Sequence, residues 1–281
     1  MNPSNTFVPK QAITKDLDLY AEIVANSTQD IARAILDILP PIQPGCKIHD
    51  NGCGAGEVTS CIMERDPPPS IHIEGTDIDE PYLDRFRARA TEKGWPVNIA
   101  NMCGGSLTFP DNTFDLSISN FMIFITPEGG MPALRHVYRT LKTPGTAVFT
   151  AWSRLPHVDP VYAAHKLTRG PNRPALREIP PEWWLGSHLV KVAEDAGFAS
   201  GKIELRPKTV YITIKDVHRL ATVMWSYLGV PLQGWSRADE ERWDEAIEVI
   251  LKSFHEVSGF EVLESGELKI ELTANILIAH K

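Results

Sequence analysis

The chain has 281 residues, 43% of them hydrophobic and 23% charged, with a formal net charge of −8. That length buries one sizeable core, and the composition is that of a globular protein. The acidic balance argues against a nucleic-acid partner, no apolar run reaches membrane-spanning length, and the polar start Met1 to Lys10 lacks a signal-peptide core. Cys46, Cys53, Cys61 and Cys103 form no C-x-x-C pair and offer no zinc spacing. No metal is therefore expected, and the cysteines read as reduced thiols of a cytoplasmic protein.

Residues 1–12 are expected to be loose. Helices are predicted from Asp16 to Ala25 and from Thr28 to Leu39. In the second, Ile31, Ala34, Ile35, Ile38 and Leu39 share one face, Ser27 or Thr28 serves as cap, and Pro40-Pro41 ends it. Strands over 46–50, 71–76, 97–101, 114–119 and 146–152 then alternate with helices over 57–65, 81–93 and 131–142. That rhythm indicates a largely parallel sheet covered on both faces. Arg85, Arg87 and Arg89 fit a solvated helix face. Pro156, Pro160, Pro171, Pro174, Pro180 and Pro181 break the rhythm over 153–186. This segment reads as a lid-like insertion with one short helix, about Pro160 to Thr168. A helix over 187–196, a strand over 202–213, a helix over 216–228 and an amphipathic helix from Arg237 to Val257 follow. The alternation of Ile270, Leu272, Ala274, Ile276 and Ile278 makes Leu268 to Ala279 a final strand.

The run Asp50-Asn51-Gly52-Cys53-Gly54-Ala55-Gly56 falls between the first strand and its helix. Glycines at every second position leave a turn with almost no side-chain bulk, at the strand end where ligands bind in open α/β sheets. A dinucleotide fingerprint requires a further glycine where Glu57 stands, and a carboxylate there repels pyrophosphate. No Gly-Lys-Ser/Thr follows, which excludes a phosphate loop. The second strand ends at Asp77, at the spacing from the glycines where an acid accepts ribose hydroxyls. Asp79 and Pro81 read as cap and first-turn residues of the next helix, which leaves Asp77 for a ligand.

These features form a family pattern. The D-x-G-x-G-x-G run resembles motif I of the class I S-adenosylmethionine (SAM)-dependent methyltransferases. Ser106 to Asp115 (SLTFPDNTFD) resembles the family's LPFPDNSFD run, and Leu141 to Thr146 (LKTPGT) its LKPGG turn before strand five. Asn51 fits the DNxCGxG form of fungal small-molecule methyltransferases and points to secondary metabolism. The resemblance covers residues 45–152. Beyond it, only a helix, Ala-Gly-Phe, strand phrase at Val190 to Leu205 matches.

The resemblance implies an α/β, Rossmann-like, seven-stranded and mostly parallel sheet with an antiparallel last strand, N-terminal helices and an inserted helical lid. One domain would span 1–281: a helical cap (1–44), a SAM-binding core (45–152), lid and acceptor-binding segments interleaved with the core (153–260) and a terminal strand (261–281). The cofactor would be SAM, released as S-adenosylhomocysteine (SAH). Asp50, Gly52, Gly54 and Gly56 would form its turn, with the Asp50 charge attracting the ammonium. Asp77 would take the ribose and Ile78 the adenine. Met102 and the main chain at Cys103 would complete the adenine site, where the family usually has an acid. Asn120 and Tyr20 are further cofactor candidates, Tyr20 through the carboxylate; a half-buried packing role fits Tyr20 equally. His49 and Asn51 stand where apolar or small residues are more usual.

Methyl transfer chiefly requires the acceptor to be held in line and water to be excluded. Where the acceptor must lose a proton, a base within reach is needed, and His157 and His188 are the candidates. Phe121, Phe124, Trp152, Trp183 and Trp184 are candidate walls of an apolar acceptor pocket, with Trp225 better placed in the core. The expected reaction is methylation of O, or S or N, of a small apolar metabolite by a monomer or homodimer, with no nucleic-acid or membrane partner. A non-transfer reaction such as cyclisation, and non-catalytic SAM binding, stay open because fold does not fix function.

Overall fold

The computed structural model describes residues 7–14 and 17–281. The expectation for residues 1–6, and the helix start at Asp16, lie outside them. In chain order the elements are α1 (Leu17–Val24), α2 (Ser27–Ile38), β1 (Lys47–Asn51), α3 (Glu57–Met63), β2 (His72–Asp77), α4 (Glu80–Lys93), β3 (Val97–Asn101), β4 (Phe114–Ser119), α5 (Met131–Thr140), β5 (Leu141–Arg154), α6 (Val158–Arg169), α7 (Gly186–Asp195), β6 (Ile203–Ile214), α8 (Val217–Leu228), α9 (Arg237–Glu241), α10 (Trp243–Ser253), β7 (Phe260–Val262) and β8 (Leu268–His280). The sheet order is β3-β2-β1-β4-β5-β8-β6, with β7 added antiparallel to β8. The eighth strand, β7, was not expected: three residues are too few to show alternation.

Strands β1 to β5 pair in parallel. β1 is central, and Ile48, His49, Asp50 and Asn51 are all buried, as a strand covered on both faces requires. The strand order reverses between β1 and β4. The carboxyl ends of these two strands are therefore the place where an open α/β sheet accepts a ligand.

Two compact units divide the chain. One comprises residues 28–153, 179–208 and 273–281. Its main core gathers Phe114, Leu134, Val137, Phe149, Leu189 and Leu277, all fully buried. A second cluster sets Phe86 of α4 against Cys53, Leu83 and Ala90. Arg139 of α5 donates to the carbonyls of Phe109 and Leu107, each at 2.7 Å, and to Asp111. These bonds pin the segment that resembles LPFPDNSFD.

The other unit comprises the described residues up to 27, with 154–178 and 209–272. There Leu19, Ile23 and Val24 of α1 bury against Val223 of α8. The single helix expected from Arg237 is two, broken at Arg242 (φ −106°, ψ 19°). Arg242 donates to the Thr168 carbonyl and pairs with Glu245, while Asp239 caps α9 through Ser236. Side-chain bonds to another element override a periodicity that runs unbroken through the sequence. Among the described residues, no helix is long and apolar enough to cross a membrane.

Candidate functional site

The glycine turn leaves β1 and enters α3. Gly52 N–H and Cys53 N–H both donate to the Thr76 carbonyl, at 2.8 and 3.0 Å, which fixes the turn to the end of β2. Gly52, Gly54 and Gly56 have φ of +69°, +52° and +87°, a region L side chains rarely enter. Their surroundings differ. A Cβ on Gly52 would lie 2.7 Å from Met122 Cβ, and one on Gly56 would overlap the buried Phe86 ring. A Cβ on Gly54 would meet only the Glu57 Oε2 tip, at 3.2 Å. Gly52 and Gly56 admit protein neighbours, whereas Gly54 keeps a backbone face open.

Asp77 and Asp50 act differently within this turn. Asp77 Oδ2 accepts from Gly54 N–H at 2.9 Å, and Oδ1 accepts from Ile78 N–H and Asp79 N–H at 2.7 and 3.0 Å. The acid expected to bind ribose is thus aimed at the open glycine. Oδ1 is filled by its two amide donors, while Oδ2 keeps a lone pair for a hydroxyl donor. Asp79 occupies the cap position of α4 without making a side-chain cap bond, and Pro81 lies in the first turn. Asp79 thus holds the cap position read from the sequence, but its carboxylate accepts no bond from the first turn.

Asp50 is fully buried and accepts from Thr59 N–H (3.1 Å) and Thr59 Oγ1–H (2.7 Å). It serves an orphan amide in the first turn of α3. Burial pushes its carboxyl up to about 7; the Thr59 bonds oppose the shift and the nearby Glu57 and Asp77 charges add to it. Burial also raises Glu57. Carboxyls around the turn favour a cation and disfavour phosphate, with the charge of Asp50 added as pH rises through about 7.

Behind the turn lies a buried polar network. His49 Nε2 meets Thr76 Oγ1 at 2.9 Å and Nδ1 meets Ser117 Oγ at 3.3 Å, while Asn51 Nδ2 donates to Ser119 Oγ at 3.0 Å. His49 stacks on Phe114, and burial lowers it to about 3, so it is neutral. This accounts for the two unusual residues of motif I: each satisfies partners inside the sheet.

The remaining candidates separate by position. Ile78 is 67% exposed beside Asp77, as a hydrophobic ligand contact would be. Met102 N–H donates to the Asp77 carbonyl, its sulfur receives Thr108 N–H, and the exposed Cys103 follows. Asn120 donates to the Thr28 carbonyl and accepts from Thr150 Oγ1–H, so both ends of its amide are engaged. The Phe121 and Trp152 rings stack at 4.0 Å and 15°, at the carboxyl ends of β4 and β5. Phe124 and Trp184 are half-buried. Trp183 is buried in the main core, 6.3 Å from the Phe124 ring, and the edge of His188 meets it at 4.8 Å. Trp225 is buried, as expected.

Tyr20 and His157 belong to the other compact unit. Tyr20 packs 5.7 Å from Tyr227. His157 is fully buried and neither ring nitrogen makes a hydrogen bond. Burial lowers it to about 4. Sequence reasoning missed Thr59, Thr76 and Thr150, and read Met122 only as part of an apolar run after Asn120. Thr59 carried a signal, since an acid buried ahead of a helix needs an N–H from its first turn. Thr150 carried none. Among the described residues, no group of three or more His, Cys, Asp or Glu side chains is placed to hold a metal.

Residues 48–145 match the family profile described as a methyltransferase domain. Nocamycin O-methyltransferase of Saccharothrix syringae is 32% identical over 41% of this chain and 40% of its own length. The chain thus spans well under half of that relative. A ubiquinone/menaquinone biosynthesis C-methyltransferase of Burkholderia orbicola is 24% identical over 70% of this chain and 75% of its own. The crystal structure of YcgJ from Bacillus subtilis shares the fold, with a TM-score of 0.55 and 16% identity over 91% of this chain and 98% of that one. Residues 48–145 therefore carry a methyltransferase domain, and the sheet order and glycine turn resemble those of the class I SAM-dependent methyltransferases, a resemblance that implies SAM as cofactor. The turn fits it: the Gly54 face is open, the surrounding charge suits a sulfonium and an ammonium, and Asp77 suits a ribose diol.

Proposed function

We propose that the protein transfers the methyl group of SAM to an oxygen of a small, largely apolar metabolite. SAM supplies an electrophilic methyl on a sulfonium. The chain's own residues bind, orient and exclude water. Asp77 would hold the ribose hydroxyls, and Ile78, Met102 and the Cys103 main chain would hold the adenine. Gly54 admits the cofactor against the backbone, Glu57 contributes negative charge, and Asp50 holds the first turn of α3 through Thr59 and adds charge as pH rises through about 7. Asn120 acts through its bonds to Thr28 and Thr150.

The observation that carries this reading is the stacked Phe121–Trp152 pair at the strand ends beside the glycine turn, where Phe121 is 7% and Trp152 3% exposed. It backs the strand ends with buried apolar side chains that carry no charge. Phe124 and Trp184 extend the same proposal, with Trp183 backing them from the main core. Oxygen is favoured by the O-methyltransferase relative. Carbon is the second reading, because the C-methyltransferase relative aligns over more of the chain. His157 and His188 are the proposed bases for an acceptor that must lose a proton, and Tyr20 the proposed partner of the cofactor carboxylate. In this reading the working form is a monomer or homodimer in the cytoplasm, one functional domain in which 153–260 supplies acceptor-binding segments. Neither nucleic acid nor membrane takes part.

The test is incubation with isotopically labelled SAM and a panel of phenols, hydroxyquinones and apolar acids. A methylated product that reverts on ether or ester cleavage supports oxygen transfer. A product resistant to cleavage supports carbon, and methylation confined to protein or nucleic acid refutes the small-acceptor reading.

A further inference from the structure

Phe121 has φ +57°. For a bulky residue this is a strained conformation, and it persists only where the surroundings over-determine it. The restraint is a short chain of hydrogen bonds. Phe121 N–H donates to Thr150 Oγ1 at 2.8 Å, Thr150 Oγ1–H donates to Asn120 Oδ1 at 2.8 Å, and Asn120 Nδ2 donates to the Thr28 carbonyl at 3.1 Å. One fully buried hydroxyl on β5 therefore fixes the backbone of residue 121 and the side chain of residue 120.

The reversal at Phe121 has two consequences. The Phe121 ring comes to lie on Trp152. The next side chain, Met122, fills the space beside two loops: a Cβ on Gly52 would lie 2.7 Å from Met122 Cβ, and one on Gly104 2.8 Å from Met122 Cε. Met122 thus braces the glycine turn of β1 against the loop after β3. Were residue 121 to relax to negative φ, both side chains would leave these positions.

We infer that Thr150 is a positioning residue. Through the strained Phe121 it sets the Met122 brace under the cofactor turn and the Phe121–Trp152 surface together. The inference rests on the SAM-site reading above, and the test separates the two. SAH is titrated calorimetrically into the wild type, Thr150→Ser, Thr150→Val, Phe121→Gly and the Thr150→Val/Phe121→Gly double variant.

Serine keeps the hydroxyl and should bind within about twofold of the wild type. Valine removes it and releases strain, so binding should weaken about tenfold. Glycine adopts positive φ without a restraint, so the double variant should recover to within about threefold of Phe121→Gly. A merely structural role would leave the double variant no better than Thr150→Val, and that result overturns the inference. So does Thr150→Val binding like the wild type. Should Thr150→Val not fold, Met122→Ala decides: unchanged SAH affinity in that folded variant removes the brace. A wild type that does not bind SAH refutes the cofactor reading itself.

Discussion

A single added methyl group separates the roles of the motif glycines. At Gly54 (φ +52°) a Cβ meets only the flexible tip of Glu57, at 3.2 Å. Alanine there incurs the left-handed backbone penalty alone, about 1–2 kcal/mol. At Gly56 (φ +87°) the methyl overlaps the Phe86 ring. That ring is fully buried and is held on another side by Gly75, where a Cβ would stand 2.7 Å from Phe86 Cε1. Overpacking of a full core adds roughly 1–3 kcal/mol, so Gly56→Ala should lose about 2–5 kcal/mol in all. Urea unfolding measures both variants, and SAH calorimetry is run on the folded protein. Gly54→Ala should fold nearly normally yet bind SAH at least about tenfold more weakly, because its methyl projects from the open face. Gly56→Ala should be the less stable variant, with affinity within a few-fold of wild type under folding conditions. Equal destabilisation of the two, or Gly54→Ala binding like wild type, would refute the reasoning.

Other expectations are as direct. Asp77→Ala removes the ribose acceptor and the Gly54 anchor, so SAH affinity should fall; unchanged binding by calorimetry would contradict the assignment. His49 and His157 lie at about 3 and about 4, below their ordinary 6.5, so the unfolded chain takes up protons first as pH falls. Their stabilisation is complete above pH 6.5, and each should lose about 2 kcal/mol by pH 5. Asp50, raised from 3.8 to about 7, works in the opposite direction. Its contribution is present at low pH and is lost as pH rises through 7, roughly 2–3 kcal/mol between pH 5 and 8. Urea midpoints should therefore fall more steeply with acid in Asp50→Asn than in the wild type, and parallel profiles would count against the buried carboxyl. Trp152→Ala should leave SAH binding within a few-fold while methyl transfer drops at least about tenfold; full turnover would remove the stacked pair from the acceptor site.

The parts of the fold that could be read in advance are those where local chemistry and tertiary packing agree. Lys47 to Met63 is such a case: a buried strand, glycines that allow positive φ, and an apolar helix face all point to one strand-turn-helix. The strand at Leu268 to His280 was equally plain from its alternation. What could not be read depends on partners distant in sequence. Nothing near Arg242 announces that its guanidinium reaches Thr168 and breaks a helix. Trp183 looks like a lid residue because prolines precede it, yet the core between α5 and α7 takes it in. The glycines were legible as a group, but the division of labour among them depends on Met122 and Phe86, which lie far along the chain. Thr150 reads as one more strand threonine, and only its bonds to residues 120 and 121 distinguish it.

The most direct test of the central claim is calorimetric titration of the purified protein, freed of bound ligand, with SAH and with NAD as control. The account expects SAH to bind at one site per chain and NAD not to bind. No SAH binding by the folded protein, or preferential binding of NAD, would contradict it.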